Sequence, residues 1–343
     1  MNYWKITDKN SFYAQVLKES EENVLKALKQ KESYYSNQIE IPKIEGKRTI
    51  YCVDKGHVLY RLQKNLCANF LNNIMISDVA FGFVRGYNYV DYLLEHTYEH
   101  ADAYYLRVDI KNFFNSIKYE TLQETLDYYF IEGESLTCEE KRELVDSVLG
   151  IVTYNEQIMQ GAPSSPIISN LVFRQLDIRI DRYCSACGVR YSRYADDLLF
   201  SARDSRILTP SFLYAISKIL RSKGFQLNRS KTLRSKGNIS LNGYVVSSSV
   251  RLSRKKLSEI NAVLFWLEGH RKNIQYSALN QRVKEANKNT SLMFAGKYDL
   301  CNYLAGYRAY IISLLKKTED KNFARKAERM VNRIEGCLDS LLT

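Results

Sequence analysis

Between residues 11 and 31, apolar Phe12, Val16, Leu17, Val24, Leu25 and Leu28 recur among Lys and Glu at close to the helical period, which predicts an amphipathic helix opening the chain. The stretch IEIPKIEGKRTIYCVD at 39–54 alternates apolar and polar positions around Gly46 and predicts a hairpin, with Lys47 and Arg48 near its turn. A helix is expected over about 57–75. Residues 103–110, AYYLRVDI, form a β-rich run with Asp109 near its end, and 118–131 and 138–152 read as helices. A second β-rich run, VRYSRYADDLLFSA at 189–202, is broken in its middle by Ala195, Asp196 and Asp197, which predicts a hairpin with acids at its turn. Residues 211–223 read as a helix with Gly224 as its C-terminal cap, and short strands are expected near 225–228 and 239–246. From about 253 the chain is mostly helical in pattern, rich in Lys and Arg, and nearly free of Gly and Pro. That change predicts a separate C-terminal helical bundle with a boundary near 250.

Composition narrows the class of partner. The 343 residues suffice for a sizeable core and two or three subdomains, and no internal repeat stands out. With 45% hydrophobic residues, 26% charged residues and only four prolines, the chain is globular in character. A formal charge of +12 favours a polyanion, because each phosphate neutralised by Lys or Arg releases condensed counterions. The basic residues are not gathered opposite one strongly apolar helix face, so nucleic acid is favoured over an acidic lipid surface and no membrane partner is expected. The 26 tyrosines and 14 phenylalanines suit base stacking as well as core packing.

The opening MNYWKITDKNSFY lacks the pattern of a signal peptide, and no apolar run reaches the ~18 residues that span a bilayer, so a cytoplasmic location is expected. Seven cysteines at irregular spacing point to reduced thiols. Cys184 and Cys187 form one C-x-x-C without a second pair at zinc-site spacing, and read as structural.

Three carboxylates carry the chemistry: Asp109 ends one expected strand, and Asp196 and Asp197 occupy the turn of another hairpin. If the strands share a sheet, the acids converge. Mg²⁺ wants hard oxygen ligands from one or two carboxylates, with substrate phosphates completing its shell. Two such ions can activate a primer 3′-hydroxyl and stabilise departing pyrophosphate.

The motifs then occur in a telling order. VDIKNFFNSI at 108–117, QGAPSSPIISNLVF at 160–173 and RYADDLLFSA at 193–202 are followed by GFQLNRSKT at 224–232 and SLNGYVV at 240–246. In this order and spacing the chain resembles the bacterial reverse transcriptases, especially the retron-type and phage-defence branches. The resemblance covers most of residues 40–250. It implies an α+β right-hand polymerase: an N-terminal extension and fingers over 1–100, a palm with an antiparallel sheet and helices over 101–250, and a helical thumb over 251–343.

By the same resemblance, Asp109 and Asp196 are the principal metal ligands, Asp197 completes the acid cluster, and Ile110 is a further candidate metal contact. Two Mg²⁺ ions are the implied cofactor, with Mn²⁺ as a substitute. Phe114 matches the aromatic under the incoming sugar, where a bulky ring would clash with a 2′-hydroxyl, and Phe113 would face the interior. Lys47 and Arg48 match the fingers residues that hold the triphosphate, a task that suits a point charge and a bidentate fork. Gln160 and Gly161 match the segment that contacts the nascent base pair, and Lys231 matches a lysine placed to protonate the leaving group. Arg85 and Tyr194 are candidate nucleic-acid contacts, as are Arg254, Lys255 and Lys256 and the basic helices at 253–273 and 316–333.

The implied partners are an RNA template, most simply a dedicated noncoding RNA, together with the DNA product and deoxynucleotides. An effector protein or a second copy of the chain are further candidates, and the implied biology is anti-phage defence. Two departures are specific. Where retron enzymes carry Asn-Ala-x-x-His and Val-Thr-Gly, this chain reads His96-Thr97-Tyr98-Glu99-His100 and Leu241-Asn242-Gly243. Competing readings are a palm kept only as a nucleic-acid-binding scaffold, and a template-independent or protein-primed polymerase.

Overall fold

The computed structural model describes residues 5–42, 47–99, 103–270, 274–317 and 321–342. The chain folds as two compact units, one of residues 1–92 and 106–233, the other of 93–105 and 234–343.

Most of a four-stranded sheet lies in the first unit. Its strands are β1 (Tyr104–Ile110), β2 (Arg190–Tyr194), β3 (Asp197–Ala202) and β4 (Leu227–Lys236), in the spatial order β2-β3-β1-β4. β2 and β3 form an antiparallel hairpin in which Tyr194 pairs with Asp197. β1 is central and mostly buried, as a strand covered on both faces must be. β4 is a ten-residue edge strand, far longer than the four residues its local pattern suggested. Its charged, exposed sequence lacks the alternation that marks a half-buried strand, and pairing with β1 extends it.

The longest helix of this unit, α1 (Ser165–Ala186), is one the periodicity did not predict. Buried residues surround most of its first half, so no polar face is left to give a helical period. Pro166 opens it where a missing N–H costs nothing. Cys184 is buried near its end, and both Cys184 and Cys187 are free thiols. The expected hairpin over 39–54 is present as strands Gln38–Pro42 and Lys47–Tyr51. The turn at Gly46 lies outside the described residues.

The helix expected over 11–31 is not continuous. Residues Phe12–Leu17 form a wide π turn, Lys18 takes φ +55°, and the helix restarts at Glu21–Lys29 with the Ser20 hydroxyl accepting from the Asn23 amide. A left-handed residue followed by an N-cap ends one helical segment and starts another even though the apolar spacing runs through both. The helices expected near 57–75, 118–131, 138–152 and 211–223 occur as Val58–Asn69, Tyr119–Asp127, Cys138–Val152 and Pro210–Arg221.

The second unit contains a three-stranded antiparallel ladder, Ile239–Leu241, Tyr244–Val246 and Val250–Leu252. Among the described residues, four helices follow: Arg254–Gly269, Tyr276–Ala286, Lys297–Leu315 and Lys321–Leu342. The Ser253 hydroxyl caps the first of them on the Lys256 amide. The last is strongly amphipathic and buries Ala327, Val331, Ile334, Cys337 and Leu341 at helical spacing. Among the described residues no helix is long and apolar enough to cross a membrane.

Candidate active site

β1 places Asp109 between its two neighbours in the sheet. The Ile110 amide donates to the Asp196 carbonyl at 2.9 Å, and the Lys111 amide to the Gln226 carbonyl at 2.8 Å. The strands that carry Asp109 and the Asp196–Asp197 turn are therefore joined at the level of the acids. Asp109 is 4% exposed. Ile110 is buried in the same strand.

The acids are neutralised by cations from flanking positions. Lys231 on β4 brings Nζ to 3.2 and 3.3 Å from the two Asp109 oxygens. Arg107 lies two residues before Asp109, on the same face of β1, and its Nη2 pairs with Asp197 Oδ1 and lies 3.7 Å from Asp109 Oδ1. Arg107 also donates to the Lys231 carbonyl at 3.3 Å. Burial works against its charge, but the Asp197 and Asp109 carboxylates outweigh that and hold Arg107 above its ordinary value.

Burial, with Asp109 adding its charge, raises the Asp196 carboxyl. Burial pushes the Asp197 carboxyl up to about 6 against the pull of Arg107. Among the described residues no group of three or more acid, His or Cys side chains is arranged to hold a metal ion. The donor set still fits Mg²⁺, which takes one or two carboxylates plus substrate phosphates rather than an all-protein cage. Asp109 and Asp196 are the pair that would hold it, with Asp197 beside them.

A second layer fixes the turn. Ala195 takes φ +56° as the first of two loop residues, the geometry of a primed hairpin turn. A non-glycine residue there stores on the order of 1–3 kcal/mol and persists only when its surroundings over-determine it. Here they do. Arg193 Nη1 donates to the Ala195 carbonyl at 3.1 Å, while its Nε and Nη2 bond Asp177 on α1 at 2.9 and 2.8 Å. Nη2 also reaches Asn170 at 3.0 Å, Tyr191 donates its hydroxyl to Asp177 at 2.8 Å, and the guanidinium lies 4.5 Å from the Phe173 ring centre. Arg193, Asp177 and Asn170 are all 0% exposed.

From the other side, Phe81 donates to the Arg193 carbonyl at 2.8 Å and Asn170 donates to the Gly82 carbonyl at 2.9 Å. A Cβ on Gly82 would lie 2.4 Å from the Ala195 nitrogen, so only glycine lets the 80–87 loop close on the turn. Spacing within the motifs did not reveal this layer. The one signal available for Arg107 was its two-residue offset from Asp109.

The remaining candidates fall into three groups. Phe114 is half-buried at the start of a short 3₁₀ turn, and Phe113 is buried against Phe173 and Phe225, facing inward as expected. The Gln160 carbonyl accepts from the Tyr51 amide at 2.8 Å, which docks the strand bearing Lys47 and Arg48 onto the Gln160–Gly161 segment. The side chains of Lys47 and Arg48 lie outside the described residues. Gly161 has φ +106°, and a Cβ there would meet the Tyr51 carbonyl oxygen at 2.2 Å.

Gly161→Ala is accordingly expected to cost more than about 1 kcal/mol, since neither its backbone angle nor the space admits a side chain. A surface control such as Gly133→Ala, with open space and no positive φ, should cost much less. Thermal denaturation of the two variants checks this.

Arg85 is exposed in the 80–87 loop, and Tyr194 packs edge-on against Tyr89 with ring centres 4.9 Å apart. In the second unit Arg254 is exposed, Lys255 donates to the Asn289 carbonyl at 3.0 Å, and Lys256 pairs with Glu259 at 3.5 Å and lies 5.8 Å from the Tyr307 ring centre. His100, Arg271, Lys272 and residues 318–320 of the basic stretches lie outside the described residues.

An acid on a central strand, joined through the Ile110 amide to the acid turn of the neighbouring hairpin, is an arrangement that suits a right-hand nucleic-acid polymerase. A family model for reverse transcriptase (RNA-dependent DNA polymerase) matches residues 41–246, more than half of the chain, and the chain belongs to that family. It is similar to the retron Ec86 reverse transcriptase of Escherichia coli, 32% identical over 222 residues that cover 63% of each protein. It is also similar to the retron Mx65 reverse transcriptase of Myxococcus xanthus, 30% identical over 217 residues, 60% of this chain and 50% of that one. The chain thus spans less than two thirds of the length of these two relatives. Among solved structures, telomerase from Candida albicans with a telomeric RNA fragment aligns with a TM-score of 0.47 at 12% identity, over 90% of this chain and 66% of that one.

Proposed function

We propose that this chain is an RNA-directed DNA polymerase that extends a primer 3′-hydroxyl with deoxynucleotides on an RNA template. The observation that carries the reading is the junction of Asp109 with the Asp196–Asp197 turn through the Ile110 amide, which brings the acids of two sequence-distant motifs to one spot. Two Mg²⁺ ions held there would activate the primer hydroxyl and stabilise the departing pyrophosphate.

The protein's own groups have separate tasks. Asp109 and Asp196 present the carboxylates, and Arg107 keeps Asp197 oriented beside them. Lys231 leaves Asp109 to meet the leaving phosphate and hands it a proton. Lys47 and Arg48 hold the triphosphate, and Phe114 rejects a 2′-hydroxyl. Fingers over 1–100, palm over 101–250 and thumb over 251–343 are the assignment we adopt, with Arg254, Lys255 and Lys256 on the duplex phosphates. The template is a dedicated noncoding RNA, and the biological role is anti-phage defence in the bacterial cytoplasm.

The test is to purify the protein from cells carrying its native locus, sequence the nucleic acid that accompanies it, and repeat with Asp196→Ala and Asp197→Ala together. A defined RNA with complementary DNA that disappears in the double variant is the expected result. Bound nucleic acid unchanged by the substitutions, with no DNA made, would replace the polymerase by a binding scaffold.

A pH prediction follows from the acids. Asp197 with its carboxyl raised to about 6 is protonated below that pH and ionised above it. At limiting Mg²⁺ the incorporation rate should therefore rise as pH passes upward through about 6. Because a cation held by the neighbouring Asp109 and Asp196 would favour the ionised form of Asp197, the midpoint should move to lower pH as Mg²⁺ is raised. Rate against pH at two Mg²⁺ concentrations reads this directly.

A further inference from the structure

Loop 80–87 does more than buttress the turn. Its Phe83 takes φ +63°, an uncommon conformation for a bulky residue, and leaves its ring 44% exposed. The rest of the side chain is partly covered by Phe114. The ring centre lies 6.1 Å from that of Phe114, with the planes tilted by 47°. Both neighbours of this contact are fixed: Gly82 closes on the backbone of Tyr194 and Ala195, and Phe114 is backed by Phe113 at 5.4 Å between ring centres. A strained residue that persists with an exposed aromatic ring, beside a catalytic turn, is the pattern expected where strain serves a site.

We infer that Phe83 is a specificity-determining residue: it forms the second wall of the sugar pocket and limits how far the Phe114 ring can withdraw from an incoming ribose. The inference rests on the reading of Phe114 as the sugar gate and adds to it a residue from a different loop. Phe83 and Phe113 each pack a ring against Phe114. A ring held from one side can tilt away and admit a 2′-hydroxyl, whereas a ring held by Phe113 and Phe83 cannot.

The test uses the full chain on an RNA template with a primer, comparing kcat/KM for one deoxynucleotide and the ribonucleotide of the same base. Phe83→Ala should lower discrimination roughly tenfold, within the range for loss of one apolar pocket contact, by raising kcat/KM for the ribonucleotide relative to that for the deoxynucleotide. Phe83→Leu, which keeps bulk at the position, should restore most of it and guards against a folding defect. In the double variant with Phe114→Ala, discrimination should match that of Phe114→Ala alone, because the two rings act as one unit.

Equal losses for both nucleotides on Phe83→Ala would reduce Phe83 to a structural part and overturn the inference. Loss of discrimination with Phe114→Ala but not with Phe83→Ala would overturn it while leaving the gate intact. No change with Phe114→Ala would remove the gate reading itself, and this inference with it.

Discussion

Asp177→Ala is expected to cost the fold about 3–5 kcal/mol, because it leaves the fully buried Arg193 guanidinium without its carboxylate. The pair lies between α1 and β2, and Tyr191 and Asn170 share its hydrogen bonds, so the loss spreads beyond one ion pair. Replacing both members together with apolar residues of similar volume should cost much less than either single change, since the penalty is that of an unpaired buried charge. The catalytic consequence is separable from stability. Arg193 also holds the Ala195 carbonyl, so a double apolar variant that regains stability should remain slow in nucleotide incorporation, with its turn free to leave φ +56°. Urea denaturation of the single and double variants gives the first result, and single-turnover incorporation at a temperature where all are folded gives the second.

Asp109→Asn should act in the opposite way, with a large loss of rate and no loss of fold. Charge stabilisation through metal ions is worth several kcal/mol, and about 1.4 kcal/mol is a factor of ten, so a fall of about 10³-fold in kcat is expected. Affinity for primer-template should be retained, because phosphate contacts elsewhere dominate binding. Removing a 4%-exposed charge also releases Lys231, and the folded protein should be no less stable than the parent in metal-free buffer. Rapid-quench incorporation and a filter-binding isotherm on the same preparation separate the two effects. If binding and rate fell together, Asp109 would be a structural acid.

These two predictions mark where the sequence could be read and where it could not. The meeting of Asp109 with the Asp196–Asp197 turn was legible because each acid ends or turns a strand with strong β character. Gln160 and Gly161 were singled out by the order of the motifs alone. Asp177, Asn170 and Arg193 were not. Asp177 and Asn170 lie on a helix whose buried surround erased its period, and all three acquire meaning only when α1 packs against β2. Arg107 reads as one more basic residue until the pleat of β1 sets it beside Asp109. Phe83 reads as a loop aromatic until Gly82 draws that loop onto the turn. The break at Lys18 was missed because apolar spacing continues through it, while a positive φ leaves no mark on hydrophobicity.

The long edge strand β4 has a consequence for the protein's behaviour in a crowded cell. Ten residues of open sheet edge are a template on which another chain could dock and start an aggregate. Arg229, Lys231, Arg234 and Lys236 place like charges along that edge, so a second copy approaching strand to strand meets repulsion at nearly every other residue. The same basic strand that supplies Lys231 to the acids thereby acts as a gatekeeper for solubility, and neutralising its outer charges would favour self-association at low salt before any effect on catalysis was seen.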